Sequence, residues 1–225
     1  MIRQNSRMRP ALLALALVSG LSACASGNHG DVGAMKVVTA VIKEQVAARK
    51  TKPAVPQLTR AQVDASPIPL LIMQVEKDRR AGVFGQINAN SGAQTFASLD
   101  AVSLTLRDGV LISTRGLGTD LMSAEVPTAA TIASGDASYQ RSYQVLDGTD
   151  QTLDLQYECH LRPEGQETLV IAERSYPTRT ITEVCIGDGD VFENQYWIDN
   201  RGKIRQSRQW TGTVIGKLRM TNPAN

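Results

Sequence analysis

The cysteine that ends Leu21-Ser22-Ala23-Cys24 stands where its thiol could take a diacylglycerol. Before it, Arg3, Arg7 and Arg9 form a basic start and Ala11 to Leu21 an apolar core. Gly20, Ser22 and Ala23 are the small residues that a signal peptidase admits. The tetrad reads as a lipobox, so residues 1–23 would be a lipoprotein signal peptide and Cys24 the first residue of the mature chain. The apolar core of about 11 residues gives roughly 16 Å of helix against about 30 Å of hydrocarbon, too short to span. Acyl chains on Cys24 would hold the protein to a membrane lastingly, because each buried CH₂ adds about 0.8 kcal/mol. Ala25 and Ser26 follow the cysteine. An Asp in that second position is the usual inner-membrane retention signal, and its absence points to the outer membrane, facing the periplasm.

The other two thiols, Cys159 and Cys185, make a balanced pair that an oxidising compartment would join. The bond would close a loop of roughly 27 residues, worth about 3.5 kcal/mol on the chain-entropy scale. Two cysteines without neighbouring histidines make a poor metal site, and no cofactor is expected. The chain carries 24 Lys and Arg against 22 Asp and Glu. Three of those arginines precede Cys24 and no acid does, so the remainder is close to neutral. Such a balance without a clustered basic surface excludes a nucleic-acid partner.

Catalytic groups are scarce. Only His29 and His160 could serve as the usual general base. His29 falls in a polar leader, and His160 on the solvent side of an alternating segment. No Gly-x-Ser-x-Gly elbow, zinc-binding helix motif or phosphate-cradling loop occurs. Gly116-Leu117-Gly118 lacks the third glycine of a dinucleotide site, and Asp188-Gly189-Asp190 reads as a turn before it reads as a calcium loop. Two Asp or Glu side chains could meet in space as a glycosidase pair, but nothing in the sequence selects them.

Two groupings are suited to binding. Trp197 and Trp210, with Arg205 and Arg208, flank one turn; aromatic faces and guanidinium forks suit a polysaccharide or an acidic sugar. With aromatics only 4% of the chain, burial of both tryptophans in the core is the favoured reading. The second grouping is Arg115 to Ala124. Two glycines and opposite charges there make either an ordered binding loop or a rigid turn held by Arg115 and Asp120.

The elements that must position these residues follow from periodicity. Ala25 to Gly33 reads as a flexible tether. Val37, Val38, Val41, Ile42 and Val46 recur at helical spacing before Pro53 and Pro56. Thr59 to Gln62 has capping-box spacing for a short helical turn. From Leu70 the period becomes two: Leu153, Leu155, Tyr157, Cys159 and Leu161 alternate with polar residues, as in a half-buried antiparallel strand. Asp108-Gly109 between Leu104-Thr105-Leu106 and Val110-Leu111-Ile112 is the strongest hairpin signal. Further strands are predicted at 70–76, 83–89, 95–99, 139–145, 168–173, 178–186, 196–198, 204–210 and 217–220. The reading is all-β, an antiparallel β-barrel-like domain at 69–225, behind a lipidated tether and amphipathic helix at 24–68.

Ser103 to Glu125, Ser-Leu-Thr-Leu-Arg-Asp-Gly-Val-Leu-Ile-Ser-Thr-Arg-Gly-Leu-Gly-Thr-Asp-Leu-Met-Ser-Ala-Glu, resembles the YjbF/GfcB group of outer-membrane lipoproteins. So does Asn194 to Asp199 running to Ser207-Arg208-Gln209-Trp210. The likeness spans roughly Leu70 to Leu218, with Phe96 where a tryptophan is expected. It implies a β-barrel-like domain and a role beside exopolysaccharide or capsule genes, with periplasmic and outer-membrane β-barrel partners. It carries over no catalytic set. The expected protein is therefore a non-enzymatic accessory of polysaccharide export that binds polymer, an export partner or both. The alternatives are a polysaccharide-modifying enzyme of glycan-hydrolase type and a purely structural envelope lipoprotein.

Overall fold

The computed structural model describes residues 54–146, 149 and 151–224. The signal segment, Cys24, the tether and the helix expected over 37–50 lie outside these residues. Twelve strands form one antiparallel sheet. They are β1 (Leu70–Val75), β2 (Ala81–Asn90), β3 (Ala93–Ala97), β4 (Ser103–Arg107), β5 (Val110–Arg115), β6 (Leu121–Glu125), β7 (Ser138–Leu146), β8 (Thr152–Ile171), β9 (Arg174–Gly187), β10 (Asp190–Asp199), β11 (Ile204–Trp210) and β12 (Lys217–Thr221). Helix α1 (Arg60–Asp64) precedes the sheet, and α2 (Ala129–Ser134) links β6 to β7. Among the described residues no helix is long and apolar enough to cross a membrane.

The strand order is β5-β4-β3-β2-β1-β12-β11-β10-β9-β8-β7-β6. Neighbours are consecutive in the chain except β1 and β12, which pair through Ile72 and Thr221 to Val75 and Leu218. The two edges, β5 and β6, are themselves consecutive and lie side by side. The sheet is thus a nearly closed antiparallel barrel, the class expected from the period-two pattern.

Alternation explains most of the interior. Leu71, Met73 and Val75 of β1 join Leu104, Leu106, Tyr157, Leu218 and Met220 in the main cluster. The opposite face of β1, Leu70 and Ile72, is covered by Leu58, Val55 and Val63. A strand covered on both faces reads as a continuous apolar run, which is the form of Leu70-Leu71-Ile72-Met73. Helix α1 begins with the expected capping box, since Thr59 Oγ1 accepts from the Gln62 amide and Gln62 Oε1 from the Thr59 amide. At the β4–β5 turn Asp108 and Gly109 have φ of 51° and 90°. These left-handed values match the strand twist as Asp-Gly predicts.

Two departures from the sequence reading have clear causes. The segments expected at 153–161 and 168–173 are one 20-residue strand, β8, paired along its length with β9. Pro163 and Gly165, which look like a break, stand at a bulge in that pairing, where a missing amide and an extra residue are tolerated. Past the bulge the facing pattern shifts, so Leu169 and Ile171 pack with Tyr176 and Trp197 in a separate cluster. The second departure is β6, which the sequence reading placed inside a loop. Its five residues, Leu-Met-Ser-Ala-Glu, include weak strand formers and owe their conformation to pairing with β7.

No ladder joins β5 to β6, and side chains close that seam. Asp120 accepts from Thr114 Oγ1 (2.9 Å), the Gly116 amide (2.8 Å) and the Leu117 amide (3.2 Å). Thr114 Oγ1 in turn accepts from the Leu121 amide at 3.0 Å. Arg115 donates to the carbonyls of Leu121 and Met122. Gly116 has φ +82°, and a Cβ there would lie 2.8 Å from the Ala101 carbonyl oxygen. Only glycine fits that turn. Across the interior, Gln209 pins the same hairpin: it accepts from the Leu111 amide and donates to the Gly109 carbonyl, both at 2.9 Å.

Replacing Asp120→Ala removes three acceptor contacts at the seam and is expected to cost about 2 kcal/mol. Thermal unfolding should shift down by about 4–8 °C. Hydrogen exchange should quicken at Gly116, Leu117 and Leu121, and an unchanged midpoint would show that the seam does not need this carboxylate.

Candidate functional site

The interior contains a charge pair that the sequence reading did not single out. Arg141 on β7 and Glu183 on β9 are fully buried, with Nη1 to Oε2 at 2.6 Å. They meet across the intervening β8. Oε2 of Glu183 also accepts from Asn194 Nδ2 (2.7 Å) and Tyr196 OH (3.0 Å), both on β10, and Oε1 from Tyr139 OH (2.8 Å). Four donors thus surround one carboxylate, the arrangement that makes a buried charge tolerable. Burial, reinforced by Glu183, pushes the Tyr139 and Tyr196 hydroxyls well above their ordinary range. Burial likewise raises Tyr143 to about 12. These phenols stay protonated donors at any physiological pH. Arg141 also lies over the Tyr143 ring at 5.3 Å, while its Nε and Nη2 are buried without a hydrogen-bond partner. The signal was present in the strand pattern. Arg141 interrupts the apolar series Tyr139, Tyr143, Val145, and Glu183 interrupts Ile181, Cys185. A charge in the apolar phase of a strand marks an interior ion pair.

Cys159 and Cys185 face each other across β8 and β9 and form the expected disulfide, with Cα atoms 4.1 Å apart. Their sulfurs lie within 4.8 Å of the Glu183 carboxylate. Three such groups could suggest a metal site, but bonded sulfurs offer no thiolate and Glu183 is committed to Arg141.

The six candidate binding residues do not converge on one site. Arg115 and Asp120 do not pair with each other; each bonds separately across the seam. Trp210 stacks on Phe192, with centroids 4.4 Å apart and planes at 7°, within a cluster that includes Tyr143 and Tyr157. Trp197 sits in the other cluster with Leu169, Ile171 and Tyr176, and donates to Glu167 Oε2 at 2.7 Å. The two tryptophans do not share a surface. All ten aromatic residues are described, and none is exposed. His160 is exposed on β8, and Asp188-Gly189 forms the β9–β10 turn.

Arg208 binds both oxygens of Glu76 (2.7 and 2.6 Å) and Gln195 Oε1 (2.9 Å). Arg219 stands directly opposite Arg208 and reaches the same carboxylate at 3.1 Å. One carboxylate therefore relieves a like-charge cross-strand pair. Arg205 is the extra residue at a bulge opposite Trp197 and Ile198, and the bulge turns it toward Asp199. Its Nε binds Asp199 Oδ2 at 2.6 Å, Nη1 binds the Ala224 carbonyl, and its guanidinium lies 4.3 Å from the Tyr176 ring centroid. Arg205 and Asp199 line a surface pocket of about 400 Å³ with Arg174, Tyr176, Pro177, Asn200 and Arg201.

A family model for the group 4 capsule polysaccharide lipoprotein gfcB, YjbF, matches residues 34–222. The chain belongs to the YjbF/GfcB family. This is a family of capsule-polysaccharide lipoproteins, and it contains the strand residues from which the resemblance was read. The uncharacterized lipoprotein YjbF of Escherichia coli (strain K12) is 24% identical over 144 residues, 59% of this chain and 65% of that protein. The match therefore spans just under two thirds of that relative. The crystal structure of the hypothetical lipoprotein YmcC from Escherichia coli (K12) superposes with a TM-score of 0.68 at 17% identity. It covers 82% of this chain and 94% of the other, a likeness of fold.

The buried pair should behave as a unit. Arg141→Met leaves Glu183 buried without its cationic partner, and should cost about 3–5 kcal/mol in denaturant unfolding. Adding Glu183→Gln should recover at least half of that loss; strict additivity would show that the two side chains are not coupled.

Glu76 should contribute to acid sensitivity. Burial alone would raise its carboxyl, but the bonds and charge of Arg208, with Arg219, outweigh it and hold the group below its ordinary 4.5. A depressed folded pKa means the stabilisation is present above 4.5 and lost as pH falls through the lower folded value. Glu76→Gln should therefore flatten the loss of stability below pH 4.5 while lowering stability at neutral pH, as read from thermal midpoints across pH.

Proposed function

We propose that this YjbF/GfcB-family chain is a lipid-anchored accessory of exopolysaccharide or capsule secretion, held at the periplasmic face of the outer membrane. It acts by binding polymer, an export partner or both. The observation that carries this reading is the family match over residues 34–222, joined to the lipobox at Leu21–Cys24. A tether ending in acyl chains confines the barrel to a layer beside the membrane, where a secreted polymer must pass.

Binding without catalysis is supported by how the reactive groups are spent. Glu183 is fully buried behind four donors, so its carboxylate is screened from substrate. Glu76 and Asp199 are held by arginines and sit below their ordinary pKa, against the raised value a general acid requires. The interior is packed with aromatic and aliphatic side chains, including Phe96 and Trp210.

Deleting the gene in its native host should lower cell-surface polymer severalfold and leave the chain length and composition of the residual polymer unchanged. Cys24→Ser should reproduce the defect and move the protein from the outer-membrane fraction to the soluble one. Normal polymer yield with altered chain length would identify an enzyme and overturn the proposal. Normal yield and structure would leave a structural envelope protein.

A further inference from the structure

The pocket beside Arg205 is assembled from the start of β9 and the β10–β11 hairpin. Arg174, Tyr176 and Pro177 open β9, Asn200 and Arg201 form the β10–β11 turn, and Arg205 comes from the β11 bulge. Its volume of about 400 Å³ falls within the ~300–1,000 Å³ of small-molecule sites. Three guanidinium groups line it against one carboxylate, Asp199. That carboxylate is already consumed: Oδ2 takes Arg205, and Oδ1 takes the amides of Arg201 and Lys203, each at 2.9 Å. Asp199 offsets the charge of Arg205, with which it pairs, and the lining keeps an excess of positive charge from Arg174 and Arg201.

Arg205 is also pre-organised. Only 3% of it is exposed, yet its Nε and Nη1 are fixed by Asp199 and the Ala224 carbonyl and its plane lies over Tyr176. Among the described residues Nη2 has no bonded partner, which leaves one donor of a rigid fork for an incoming oxygen. The exposed Arg201 side chain makes no hydrogen bond or ion pair among the described residues and can close on the same group. Arginine forks hold planar carboxylates through paired N–H donors. Beside them, Pro177 offers an apolar patch for the C–H face of a ring, and the Asn200 amide suits a hydroxyl.

We infer that this pocket binds a carboxylate-bearing sugar unit of an acidic polysaccharide. The assignment deepens the proposed role in polymer secretion and rests on it. Fixed orientation of Arg205 lowers the ordering cost of a weak contact, and a repeating polymer can present its acidic unit many times.

The test uses the full lipidated chain in lauryldimethylamine oxide micelles, with calorimetry against oligogalacturonate, its carboxyl-reduced neutral counterpart, inorganic phosphate and the host's own polymer. Oligogalacturonate should bind and weaken with salt, and the neutral oligomer should not. Arg201→Gln, at an exposed position, should weaken binding about tenfold without moving the thermal midpoint. Arg205→Lys should weaken it further, because a lysine has no third nitrogen to present to the ligand while holding Asp199 and the Ala224 carbonyl. Equal binding of acidic and neutral oligomers, unchanged binding by Arg201→Gln, or phosphate binding in preference to galacturonate would each overturn the assignment. If the host polymer binds wild type and Arg201→Gln equally, the pocket assignment falls while polymer binding stands. If the host polymer binds neither, polymer binding falls too.

Discussion

A carboxylate placed inside a barrel sets conditions on everything around it. Glu183 is 0% exposed, and an ionised group in that position is stable only if charge and lone pairs are both answered. Arg141 answers the charge from two strands away; Asn194, Tyr196 and Tyr139 answer the lone pairs. A one-residue slip of β7, β9 or β10 would send each of these side chains to the opposite face. The pair is thus a register lock, expensive when half-made and nearly neutral when complete. The disulfide adjoining it fastens β8 to β9 at directly opposed positions, so the same column of the barrel is held covalently and electrostatically.

The seam depends on the same logic at a smaller scale. A meander that begins at β1 and returns at β12 brings β5 and β6 side by side with no ladder between them. Exposed strand edges are a liability. Here Thr114, Asp120 and Arg115 occupy the edge amides and carbonyls with side-chain groups. The glycine-rich stretch that resembles a ligand loop in sequence works as this closure. Its glycine at 116 is required by the approach of the Ala101 carbonyl.

With interior and seam committed to holding shape, the outer surface is left for recognition. The long β8–β9 hairpin extends past the Pro163–Gly165 bulge, and its apolar residues pack with Trp197. Its far end supplies Arg174 and Tyr176 to a cationic pocket whose other walls are the β10–β11 turn and the β11 bulge. Two irregularities in pairing therefore help to build this pocket.

Much of this molecule was legible in one dimension. The cysteine pairing, the all-β class, the Thr59 cap and the Asp108-Gly109 turn each depend on a few residues or on strict alternation, which local sterics and burial enforce. The resemblance of Ser103 to Glu125 located the family. The binding groups were less legible. Trp197, Trp210, Arg205 and Arg208 share one hairpin, but the chain could not show that Trp210 would stack on Phe192, that Trp197 would meet Leu169, or that Arg208 would be claimed by Glu76, 132 residues earlier. Those outcomes depend on which strands become neighbours when a twelve-stranded sheet curls and where bulges shift the facing. Local propensity carries no record of such long-range register. Sequence alone determined the fold class, the disulfide pairing and the kinship. Tertiary structure decided which charges were spent on stability and which were left to face a ligand, because only closure of the barrel brings their partners within reach.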